Sequence, residues 1–355
     1  MKKMINYILA IGLSFCLAYL AQHPVLKNGV VLSDGFIKLF KVLAVFPMAL
    51  VSGLRYYVGT DYGSYVYLFN NIETTKIKFL FIYNTILRFF TTNPQLFFIT
   101  TSFLVTGLFF FCCYQESDNW GLSVLMYAGI EDFFVSMNVV RQFMAISLLW
   151  CAVVNLRKNQ YIWFVIIVII ASFIHTSSIL FLAIGVLYAF KNKPKKGIII
   201  IVILSALSYV LLPVLIWFIK TYTEYGYYFD SMYVVNRFGS TLPLIIIYMT
   251  MFMVTVFAKK QKTDEKTWLY ISGCLINITI LLLSFRLPSN TYRLTYLFNG
   301  LITIYYPSVL NRIDNYKMRN FIMYSSIILF YIWTFLLITH NNQNVLPYSF
   351  IIESF

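Results

Sequence analysis

The feature that most constrains this chain is the recurrence of apolar runs long enough to cross the roughly 30 Å hydrocarbon core of a bilayer, such as residues 36–54, 197–218, 242–257 and 321–338. A backbone in lipid must satisfy its hydrogen bonds internally, so each run is expected to be helical. With 60% hydrophobic and 11% charged residues, the chain has more apolar surface than one water-soluble core can hide. The sequence therefore predicts an all-α, polytopic integral membrane protein of about 11–13 transmembrane helices. No stretch is left over for a soluble domain, so residues 1–355 read as a single transmembrane domain.

The formal charge of +14, from 27 Lys and Arg against 13 Asp and Glu, would suggest nucleic-acid binding in a soluble protein. Here the basic residues cluster in short loops between apolar runs, the bias that orients membrane proteins with those loops in the cytoplasm. Membrane lipids, and no nucleic acid, are the partners this pattern implies. Cys16, Cys112, Cys113, Cys151 and Cys274 all lie inside apolar segments without metal-ligand spacing, and read as small buried hydrophobes. Neither a disulfide framework nor a metal site is expected. The stretch from Lys2-Lys3 through residues 4–20 resembles a signal peptide but lacks a small-x-small cleavage pattern before His23-Pro24, and is taken as the first span.

Residues 161–190 are too many for one upright helix and too few for two crossings, so a broken or re-entrant hairpin is expected. Its flanks are basic, with Arg157 and Lys158 before it and Lys191, Lys193, Lys195 and Lys196 after it. Both flanks should then be cytoplasmic, with His175 approaching the outer side. Counting forward places Lys259, Lys260, Lys262, Lys266, Arg312, Lys317 and Arg319 inside. The tyrosine-rich loop 222–233, the segment 286–293 and the tail after His340 come out external. Counting backward leaves two choices for 79–90, which carries Asn84 and Arg88: an interfacial helix, which puts the loop 55–94 outside, or a weak crossing, which puts it inside. Lys2 and Lys3 favour the crossing; Lys27, Lys38 and Lys41 favour the interfacial helix.

Four polar patches interrupt this apolar background. In LRYYVGTDYGSYVYLF, starting at Leu54, Arg55, Asp61 and several tyrosines can present a cation, a carboxylate and stacking rings to a polar ligand; the alternative is a snorkelling arginine in an aromatic belt. In EDFFVSMNVVRQ, starting at Glu131, Arg141 and Gln142 enter an apolar helix, where a guanidinium needs a cavity, a phosphate or a carboxylate such as Glu131 or Asp132. His175 sits in SFIHTSSIL, suited either to a hydrogen-bonded structural role or to proton transfer. In FRLPSNTYRLTYLFN, Arg286 and Arg293 lie one short loop apart, a spacing that suits the oxygens of a diphosphate. P-loop, zincin and nucleophile-elbow motifs are absent.

These patches together resemble a known family. Arg55-x-x-Val-Gly-Thr-Asp61-Tyr62-x-x-Tyr65, Asn138-x-x-Arg141-Gln142, Phe173-x-His175-x-Ser177 and Asn290-x-x-Arg293 followed by Tyr296-Leu297-Phe298 are similar to the EpsG family of bacterial exopolysaccharide and capsule proteins, themselves similar to Wzy-type repeat-unit polymerases. The last motif departs slightly, with Leu297 between Tyr296 and Phe298. The resemblance implies a multi-pass protein of the bacterial cytoplasmic membrane whose active site faces outward. Its substrate would be an undecaprenyl-diphosphate-linked oligosaccharide, polymerised with loss of the polyprenyl diphosphate and without a cofactor or metal. A flippase and chain-length-control proteins would be its partners. Under this resemblance Arg141 and Arg293 hold the diphosphate, Arg55 or Arg286 assist, and His175, or else Asp61, takes the acceptor proton. Tyr62, Tyr65, Asn138 and Gln142 complete the substrate contacts. Two other classes remain open on the residues alone: a lipid-linked-oligosaccharide flippase or transporter, and a membrane acyltransferase with His175 as base.

Overall fold

The computed structural model describes residues 4–25, 31–222, 226, 229, 238–258, 264–340 and 343–350. Lys2, Lys3, Lys27, Lys259, Lys260 and Lys262, used above for sidedness, lie outside the described residues, as does most of the loop 222–233. Among the described residues the chain is helical, with only two isolated β-bridges, Val25 to Val31 and Arg55 to Phe350.

By length and composition, six helices can cross a membrane: Ile5–Gln22, Asp34–Gly53, Gln95–Glu116, Val140–Arg157, Glu265–Ser284 and Tyr316–Leu336. A seventh span results if Pro194–Val210 and Leu212–Tyr222, bent by 61°, are one crossing. Pro213 explains the bend, because it has no N–H to give to the carbonyl one turn earlier and its ring clashes there. The number of long spans is below the 11–13 expected because several apolar runs are divided. Residues 120–136 form Trp120–Gly129 and the short Asp132–Ser136, separated by Glu131 at a left-handed φ of 74°. Residues 161–190 form Tyr161–Ile174, a 3-10 turn Thr176–Phe181 and Leu182–Tyr188. The break falls on His175, whose backbone is extended (φ −146°, ψ 115°). The segment 79–90 forms the helix Lys78–Arg88, whose 11 residues reach roughly 16 Å, about half the hydrocarbon thickness. It buries Leu80, Asn84 and Leu87 and exposes Phe81, Ile82 and Ile86, the pattern of an interfacial helix.

The chain forms two compact units. In the first, residues 1–179 with 324–355, Gln95–Glu116 packs between Phe46–Gly53 and Val140–Arg157, and Ile5–Gln22 packs on Trp120–Gly129 and on Phe46–Gly53. The core is aromatic: Phe109 stacks on Tyr127 with centroids 4.1 Å apart and meets Trp150 edge-on at 5.4 Å. The second unit, residues 180–323, is built on Glu265–Ser284, which packs against Phe238–Phe257 and Tyr296–Leu310. Its fully buried Trp268 donates Nε1 to the carbonyl of Leu187 at 2.9 Å. Glu265 accepts from Tyr188 at 2.5 Å and pairs with Lys191 at 2.8 Å, tying the helix ends together. Ile199, Val202, Ile203, Leu207 and Val210 on the bent pair are exposed, a surface that lipid covers.

Candidate functional site

The first motif begins where the helix Phe46–Gly53 stops. Arg55 is 1% exposed. Its guanidinium donates Nε to the carbonyl of Val58 at 3.3 Å, Nη1 to the carbonyl of Ser52, and Nη2 to the carbonyl of Met137 at 2.8 Å. It also lies over the Phe98 ring at 4.8 Å. Burial lowers its pKa to about 10, against the opposing influence of Tyr7, Tyr62, Tyr348 and Tyr65, so the group stays cationic at neutral pH. Arg55 thus fastens the loop of the first motif to that of the second. Beside it, Ser52, Thr101, Ser102, Thr106 and Ser136 line a small cavity with room for about one water.

The second motif meets the first at two further points. Asn138 accepts at Oδ1 from the backbone N–H of Thr60 at 2.7 Å, and the Tyr65 hydroxyl accepts from the backbone N–H of Arg141 at 3.2 Å. Gly59 makes the first contact possible: its φ is 102°, and a Cβ there would come within 2.5 Å of Asn138 Oδ1. Asp61 and Arg141 are both near enough to the Tyr65 phenol to act on it electrostatically. Arg141 is half-buried, and its side chain has no hydrogen bond or ion pair among the described residues. The sequence left a pair with Glu131 or Asp132 open; neither forms an ion pair with it. Gln142 follows as a buried residue of the same helix.

The two aromatic residues of the first motif are packed rather than loose. Tyr62 is buried, stacks on Phe98 at 4.2 Å and donates its hydroxyl to Gln95 Oε1 at 3.1 Å. Tyr65 stacks on Phe97 at 5.1 Å. His175, half-buried in the same unit, shares a hydrogen bond between Nδ1 and Ser177 Oγ at 2.8 Å. In the second unit, Arg293 lies in the 3-10 turn Ser289–Thr295, and the exposed Arg286 has its guanidinium 4.6 Å from the centroid of the Tyr209 ring.

A further segment joins the site that sequence reasoning did not select. The tail 343–350 runs along the first motif: Tyr56 donates its N–H to Ser349 at 2.9 Å, and Gly59 donates to Asn344 at 2.8 Å. Tyr348 donates its hydroxyl to the carbonyl of Val51 at 2.8 Å, and Tyr7 to that of Val345 at 3.0 Å. Gln343 bridges the second motif, accepting from Asn138 Nδ2 at 2.7 Å and donating to Glu131 Oε1 at 2.9 Å. No local pattern marks these residues, because their partners are some 200 or more positions away.

The profile of the EpsG family matches residues 38–350. The chain belongs to the EpsG family. No curated protein matches it, and no solved structure does. The EpsG match extends beyond the four motifs at both sides and takes in the tail through Phe350, the residue that bridges to Arg55. In this EpsG protein the first two motifs are thus one assembly, built by the end of one helix, the start of another and the returning tail. Such an assembly can hold an anion at Arg141 and can hold or release a proton at Glu131.

Proposed function

We propose that this multi-pass EpsG-family protein takes part in exopolysaccharide biosynthesis by polymerising undecaprenyl-diphosphate-linked oligosaccharide repeat units at the outer face of the cytoplasmic membrane. One observation carries this reading. Arg141, at the start of an apolar helix, keeps a guanidinium that makes no ion pair and no side-chain hydrogen bond among the described residues. At the edge of a low-dielectric region such a group is costly without an anionic partner, and a diphosphate is a partner its forked geometry fits.

In the reaction, the hydroxyl of an acceptor sugar attacks the anomeric carbon of the donor. The bond from that carbon to the diphosphate oxygen breaks, and the polyprenyl diphosphate leaves with the electron pair. Arg141 stabilises the growing negative charge on this leaving group, as a preorganised cation does best away from bulk water. The helix N-terminus behind it adds a favourable partial charge. Arg55 assists by fixing the two loops. In the second unit, Arg286 and Arg293 are proposed as phosphate-binding residues on the strength of their spacing. Chemistry nominates His175, then Asp61, to take the acceptor proton. Asn138 and Gln142 orient the sugar, with Tyr62 and Tyr65 forming the aromatic wall beside it.

The test is reconstitution of the purified protein with an undecaprenyl-diphosphate-linked repeat unit, without nucleotide sugar or ATP. A ladder of products is expected, and Arg141→Ala should lose it while remaining abundant in the membrane. No ladder from the wild-type protein, or a normal one from Arg141→Ala, overturns the reading. In cells, loss of a polymerase leaves single repeat units on the outer leaflet, whereas loss of a flippase leaves them on the inner one.

A further inference from the structure

Glu131 is a site carboxyl that the sequence offered only as a partner for Arg141 and that the family motifs do not include. It occupies the turn between Trp120–Gly129 and Asp132–Ser136, in the left-handed conformation that a residue with a side chain adopts at a cost (φ 74°). It is 8% exposed. Its one hydrogen-bond partner among the described residues is a neutral amide, Gln343 Nε2, at 2.9 Å, and it forms no ion pair. The ionisable groups on the surrounding elements include Asp132 next to it, Tyr127 on the preceding helix, Tyr7 against Phe133 and Phe134, Tyr331 against Gly129, Arg141 on the following helix, Arg55 bonded to the nearby Met137 carbonyl, and Tyr348 on the tail. Of the two arginines, Arg55 directs its donors to carbonyl oxygens instead, and Arg141 forms no ion pair with Glu131.

Gln343 is held on its other side by Asn138 Nδ2, both at its side-chain oxygen and, at 2.9 Å, at its backbone carbonyl. Asn138 in turn receives the N–H of Thr60, the residue before Asp61. A continuous line of hydrogen bonds therefore runs from the first motif to the Glu131 carboxyl.

We infer that Glu131, in place of His175 and Asp61, is the group that receives the proton of the acceptor hydroxyl, and that Gln343, delivered by the C-terminal tail, is the positioning residue that sets its proton affinity. This rests on the polymerase reading. As the new glycosidic bond forms, the hydroxyl proton passes to the Glu131 carboxylate, and the bond to the diphosphate breaks with the electron pair leaving on the carrier. Burial, partly offset by the Gln343 bond, raises the carboxyl to about 7, where it exchanges its proton near neutral pH. The Gln343 amide donates to the ionised form, so its loss makes the proton harder to remove.

The experiment measures ladder formation by the full-length reconstituted protein as a function of pH. The wild-type rate should rise with pH through a midpoint near 7. Glu131→Gln should lower the rate roughly 100-fold or more and flatten the profile. Gln343→Ala should move the midpoint to higher pH and recover near-wild-type rate on the alkaline side, which a merely structural contact would not produce. A Glu131→Gln protein that keeps the wild-type rate and profile, or a Gln343→Ala protein whose midpoint stays in place, overturns the inference while leaving the polymerase reading intact. Infrared difference spectra supply a readout free of activity. A protonated-carboxyl band titrating near neutrality in the wild type and missing in Glu131→Gln supports proton exchange even where no ladder forms and the polymerase reading falls. Its absence from the wild type overturns the inference.

Discussion

The Tyr65 hydroxyl accepts a hydrogen bond from the backbone N–H of Arg141 at 3.2 Å. That N–H is one of the donors at the start of Val140–Arg157 that no residue of the helix itself can satisfy. A residue 76 positions away thus caps the helix that carries Arg141. Tyr65→Phe keeps the stack on Phe97 and removes only the acceptor. It should cost about 1 kcal/mol of stability and lower the yield of polymer, read as thermal unfolding in detergent and as ladder intensity.

Arg55→Lys should destabilise the protein rather than merely slow it. A lysine ammonium cannot reproduce the fork that reaches Ser52, Val58 and Met137, and it leaves buried carbonyls without donors. A loss of about 3 kcal/mol or more is expected. A variant with wild-type thermal stability would show that these bonds do not hold the loops.

Gly59→Ala combines two penalties: a backbone at φ 102° and a methyl group forced against Asn138. It should cost roughly 1–3 kcal/mol and open the contact between Thr60 and Asn138. Faster proteolysis of the 54–65 loop is the corresponding readout. Gly63, whose Cβ would meet open space, is the control that should tolerate alanine.

Glu131 makes stability depend on pH in a direction opposite to an ion-paired carboxylate. The folded state keeps the proton up to about 7, whereas an unfolded glutamate releases it near 4.5. Between those values the unfolded state binds fewer protons, so stability should fall as pH rises, by at most about 3 kcal/mol, and level off above the upper one. Glu131→Gln should abolish this slope, measured by thermal unfolding across the window.

Much of the architecture was legible in the chain. Apolar runs predicted a multi-pass helical protein, the length of 161–190 predicted a break at its middle, and the break falls on His175. For 79–90 the sequence left an interfacial helix and a weak crossing open; the 11-residue helix Lys78–Arg88, with Asn84 buried, has the length and pattern of the first. What the runs overstated was the number of long spans. Hydropathy averages over Gly129, Glu131 and Pro213, while a helix stops or bends at single residues whose backbone departs from the helical geometry.

Of the site, the arginine and acidic motifs stood out because charge near lipid is rare and costly. Gln343 and Glu131 did not. A glutamine in a polar tail has no distinguishing local pattern, and Glu131 read only as a possible partner for Arg141. Their pairing exists because the tail folds back across the chain.

The sequence by itself determined that this chain lives in a bilayer, that it is helical, and which family it belongs to, because hydrophobic length and short motifs are properties of contiguous residues. Only the tertiary structure decided which polar groups neutralise one another. It gave Arg55 to backbone carbonyls and Glu131 to Gln343, and left the Arg141 guanidinium without a hydrogen bond or ion pair among the described residues. The physical reason is that burial and hydrogen bonding, which fix the charge and availability of a side chain, come from residues distant in sequence that packing brings together.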